Sequence, residues 1–60
     1  MPIDDQAISK AVIAEGIRRK IRVLERFKEL HPDMALVTSA EITTLKELFE
    51  ELLGHAFTPA

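Results

Sequence analysis

Sixty residues with a net charge of −2 can form one domain at most, near the lower size limit for a chain that folds alone. The absence of cysteine excludes a disulfide framework and a thiolate metal site, and so small a net charge points to no polyanionic partner. With 47% apolar residues, no Trp or Tyr and three Phe, the core has to be built from Ile, Leu, Val and Ala, which suits helix packed on helix.

The opening Met1-Pro2-Ile3-Asp4-Asp5 lacks the basic start of a signal peptide. No apolar run approaches the roughly 18 residues of a membrane span, so a cytoplasmic chain is the expectation. Asp4 or Asp5 is placed to cap a first helix, where a carboxylate accepts free N–H groups and meets the positive dipole end. The periodicity predicts one long helix from about residue 4 to residue 30. Along it Val12, Ile13, Ile17, Ile21, Val23, Leu24, Phe27 and Leu30 spread over about half the circumference. A surface helix usually buries a stripe nearer to about 100°. His31-Pro32 ends the helix, because proline disfavours helical geometry at the residue before it. Gly16 interrupts the pattern at a cost of about 1 kcal/mol relative to alanine. No turn-forming residues accompany it, so the helix is expected to continue, with close approach of another backbone as the reason for glycine. A break there would instead give three helices.

Residues 32–37 form the expected connection, with Met34, Leu36 and Val37 folding over the end of the hairpin. A second helix over residues 39–53 follows from a capping box of Thr38 and Glu41 and a staple between Val37 and Ile42. Ile42, Leu45, Leu48, Phe49, Leu52 and Leu53 trace its apolar stripe, with Thr43, Glu47, Glu50 and Glu51 opposite. Gly54 can take the left-handed conformation that finishes it. The tail after His55 either tucks Phe57 back or frays.

The expected fold is therefore all-α, a single domain over residues 1–60 formed by a helical hairpin. Residues 1–30 carry a balance of +2 and residues 31–60 of −4, so the two helices attract. At 1.5 Å per residue the first spans roughly 40 Å and the second roughly 22 Å, leaving Ile8, Val12 and Ile13 overhanging. A lone hairpin cannot shelter so wide a stripe, so the chain is expected to dimerise into a four-helix bundle. Ile13, Ile17, Ile21, Leu24, Phe27, Ile42, Leu45, Phe49 and Leu52 are the expected dimer core. The overhang of Ile8, Val12 and Ile13 is the expected docking surface for another protein.

Other features have plainer readings. The stretch Ile17 to Lys28 is rich in Arg and Lys, and Arg18, Arg19, Arg22 and Arg26 offer an alternative role in contacting nucleic-acid phosphates. Their charge is divided between two flanks and diluted by Glu15, Glu25 and Glu29, and a helix-turn-helix would need a break at Gly16. Lys20 falls near the centre of the apolar face and is expected to snorkel, as is Lys28; a carboxylate partner for Lys20 is the other option. His31 and His55 follow helix ends and are expected to cap free carbonyls rather than share a metal. No glycine-rich phosphate loop and no nucleophile beside a base are present, so neither an enzyme nor a cofactor is expected. The functional expectation is a small non-catalytic interaction module or regulator working as a homodimer.

Overall fold

The computed structural model describes residues 5–59, the side chain of Gln6 excepted. It is a helical hairpin: α1 (Asp5–Leu30), a 3-10 turn (Pro32–Met34) and α2 (Ala35–Leu53). Among the described residues there is no strand, and no helix is long and apolar enough to cross a membrane. Asp4, one of the two expected caps, lies outside the described residues, as do Met1, Pro2, Ile3 and Ala60. Asp5 is the first helical residue and places its carboxylate in the first turn.

α1 runs through Gly16 without a break, as its flanking helix formers require. Apart from its own stretch of α1, no described residue approaches the position of a Cβ on Gly16 to within 4 Å, so no neighbouring backbone of the hairpin explains the glycine. The helix closes with the His31 N–H donating to the Phe27 carbonyl at 2.8 Å.

The connection is much shorter than expected, and the capping box does not form. Pro32 opens the 3-10 turn, the Met34 N–H donates to the His31 carbonyl at 3.0 Å, and α2 begins directly at Ala35. Met34-Ala35-Leu36-Val37 holds no helix breaker, so nothing stops the chain from becoming helical before Thr38. Thr38 is thus an interior residue, 2% exposed, with its hydroxyl donating back to the Met34 carbonyl at 2.8 Å. Glu41 and Val37 are exposed, and the Val37–Ile42 staple has no helix start to brace. Gly54 ends α2 as expected, with φ 76° and its N–H donating to the Glu50 carbonyl at 2.9 Å.

Packing uses only part of each apolar stripe. Ala14, Ile17 and Ile21 of α1 and Ile42 and Phe49 of α2 form the buried core, bordered by Leu24, Leu45, Leu53 and Phe57. At 19 residues, α2 reaches roughly 28 Å along α1, further than expected, and burial extends to Ala14. The overhang is correspondingly shorter: Leu52 meets Ile13 across a common groove, while Ile8 and Val12 remain exposed. The molecule measures 51 × 17 × 14 Å, one helix thick.

Candidate interaction face

A hairpin one helix thick has two broad faces, and the sequence treats them differently. On one, the C-terminal tail folds back. The Phe57 ring meets Phe49 edge to face at 5.1 Å, with the Lys46 ammonium 5.5 Å from the Phe57 centroid. The Phe57 N–H donates to Glu50 Oε2 at 3.3 Å. Arg18 lies over Phe49, 5.3 Å from its centroid, and donates to Thr58 through two nitrogens. The tail is docked, and Phe49 beneath it is fully buried.

The opposite face has no such cover. Ile13, Val23, Leu30, Val37, Leu48 and Leu52 stay between 40% and 62% exposed. On α1 they continue a seam of three- and four-residue steps through Ile13, Gly16, Lys20, Val23, Phe27 and Leu30, the spacing that lines a helix along a second helix. On α2 the matching seam runs through Val37, Glu41, Thr44, Leu48 and Leu52. An open groove of about 400 Å³ between the helices is lined from both sides, by Lys20 and Leu24 of α1 and by Val37, Glu41 and Leu45 of α2. A second groove of about 310 Å³ joins Ile13 to Leu52 at the far end. The half-circumference stripe of α1 is therefore two faces side by side, one turned to α2 and one left open.

The surface area is large for the mass of the chain. A compact 6.8 kDa monomer exposes about 4,000 Å² by the scaling of surface with mass. This chain exposes 4715 Å². The excess of about 700 Å² goes with the elongated 51 × 17 × 14 Å shape, the α1 overhang included.

The residues expected in a dimer core divide between these surfaces. Ile17, Ile21, Ile42 and Phe49 are buried within one chain, and Leu24, Phe27 and Leu45 are half-buried. Ile13 and Leu52 belong to the open face. Of the expected docking residues, Ile8 and Val12 lie in the overhang, at 50% and 66% exposure, while Ile13 is drawn into the groove with Leu52.

The basic stretch is dispersed. Arg18 is engaged by the tail, and Glu15 draws both Arg18, at 3.9 Å, and Arg22, at 3.3 Å. Arg19 and Arg26 are exposed and make no ion pair among the described residues. Lys20 is exposed while lining the apolar groove, which is how a snorkelling lysine sits. Lys28 lines another groove with Pro32 and Ala35.

The histidines do not cap helix carbonyls with their rings. His31 stacks on Phe27 with centroids 4.4 Å apart, so a flat aromatic neighbour one turn back holds the imidazole instead. His55 sets its ring against Phe49 at 5.4 Å, and its Nδ1 lies 2.9 Å from the Ala56 carbonyl, beyond the helix end. Among the described residues no three His, Asp or Glu side chains gather as a metal site.

Three contacts escaped the sequence reading: the Arg18–Thr58 clamp, the burial of Thr38, and the place of Glu41 on the open seam. Only the last had a signal, because Glu41 falls in the Val37–Leu48 spacing once α2 begins at Ala35. In comparisons with known proteins, no family model, no curated protein and no solved structure matches this chain.

Proposed function

We propose that this chain is a small non-catalytic protein–protein interaction module that works as a homodimer, two hairpins joined into a four-helix bundle. The observation that carries the reading is the one-sided hairpin. Its tail seals one face, while the other displays exposed aliphatic side chains on both helices, with Lys20, Glu41 and Thr44 among them. Contiguous exposed apolar surface on a small chain marks an interaction site. Burying six half-exposed aliphatic side chains per subunit, at about 1 kcal/mol each, yields on the order of 10 kcal/mol for the pair before ordering costs. That gain matches the marginal stability of a small domain, so association and folding are coupled in this reading.

The overhang of Ile8 and Val12 stays outside the bundle and is the surface left for a further protein partner. The test is a charge placed on the seam. Val23→Asp or Leu48→Asp is expected to convert a dimer into a monomer in analytical ultracentrifugation, whereas Ile8→Asp, more than a turn beyond Ile13, leaves the mass unchanged. Equal masses for all four proteins would overturn the reading.

A further inference from the structure

Two symmetric ways exist to join open faces. With the two-fold axis across the helices, α1 lies on α1 and α2 on α2. With the axis along the helices, each α1 lies on the partner's α2. We propose that a second copy of this chain covers the open face in the second way, so that Lys20 of each copy meets Glu41 of the other.

The inference rests on the homodimer reading and deepens it. Each seam carries one charged residue, Lys20 at the middle of the α1 seam and Glu41 one step from the loop end of the α2 seam, and both line one groove between the helices. With Ile13 opposite Leu52, Glu41 lies about opposite Leu24, one helical turn or about 6 Å along the hairpin from Lys20 and within reach of a lysine side chain. Rotation about an axis along the helices preserves height, so each lysine faces a glutamate in both halves of the dimer. Rotation about an axis across the middle of the helices brings lysine near lysine in an apolar seam, where like charges are disfavoured, and leaves each glutamate without a lysine opposite it. The wider charge balance of the two halves, +2 and −4, points the same way. One oppositely charged pair in a largely aliphatic seam also fixes register. The chosen axis brings both free ends of α1, each with Ile8 and Val12, to the same end of the bundle, where they form one paired surface.

The chain has no cysteine, so introduced thiols report without background. Lys20→Cys and Glu41→Cys proteins are oxidised separately and as an equimolar mixture, one of them isotope-labelled, and the products are weighed by intact mass spectrometry. The expected dominant disulfide dimer is the mixed one, appearing only in the mixture. A Lys20→Cys protein that crosslinks chiefly to itself overturns the arrangement while leaving the dimer in place. Absence of any crosslink between the two cysteine variants, when the wild-type chain weighs as a dimer, overturns it too, because the interface then lies elsewhere. A wild-type chain that weighs as a monomer throughout removes the homodimer reading and this inference together.

Discussion

Arg18 and Thr58, 40 positions apart, are joined by two hydrogen bonds: Nε donates to the Thr58 carbonyl at 2.8 Å and Nη2 to its hydroxyl at 2.9 Å. The guanidinium is planar and presents its donors in a fixed fork, so both bonds form from one orientation. That orientation also lays the group over Phe49. Together with Phe57 on Phe49, the clamp holds the tail on one face of the hairpin and leaves the other open.

Loss of the tail contact is the first measurable consequence. Phe57→Ala uncovers Phe49 and is expected to lower stability by about 2 kcal/mol, below the full cost of a deeply buried ring because Phe57 is only partly buried. Arg18→Ala removes two solvent-exposed bonds and is expected to cost about 1 kcal/mol. Urea midpoints at one protein concentration rank the two, and an indifferent Phe57→Ala would mean the tail does not stay docked.

Thr38 separates the observed helix start from the capping-box alternative. An N-cap position welcomes aspartate, whereas a buried interior position penalises it by about 3 kcal/mol. Thr38→Asp is expected to destabilise strongly, while Thr38→Val, which keeps the shape and drops only the back-bond to Met34, is expected to stay within about 1 kcal/mol. Thermal melts followed at 222 nm distinguish these outcomes.

Gly54 takes φ 76°, where a Cβ is strained even though no atom lies within 4 Å of its position. Gly54→Ala is expected to cost about 1 kcal/mol and Gly54→Asn less, since asparagine tolerates the left-handed region. Chemical denaturation of the pair checks the order.

The end of α2 was legible because left-handed geometry at Gly54 is a local property. The continuity of α1 was legible because nothing beside Gly16 competes with helix. The start of α2 was misread, because Thr38 and Glu41 carry a capping signature that counts only if the preceding residues are not already helical. The open face was half legible. Periodicity showed that the stripe was too wide, but not that α2 would take the side with Ala14, Ile17 and Ile21 and leave Val23 and Leu30 outside. The Arg18–Thr58 clamp had no sequence signal, since it depends on where a flexible tail crosses a helix.

The dispersal of the basic residues predicts weak behaviour toward nucleic acid. With Arg18 and Arg22 engaged by Thr58 and Glu15, the chain is expected to pass unretained over duplex DNA at low salt. Retention that falls steeply with salt and vanishes on replacing Arg19 and Arg26 by Ala would support the phosphate-binding alternative.

The central claim, that one hairpin exposes a face which a second copy must cover, is tested most directly by solution mass and far-ultraviolet circular dichroism measured on the same dilution series. The account predicts a mass of two chains at micromolar concentration and a fall in helicity as the mass drops toward one chain. A single-chain mass with undiminished helicity at every concentration would contradict it.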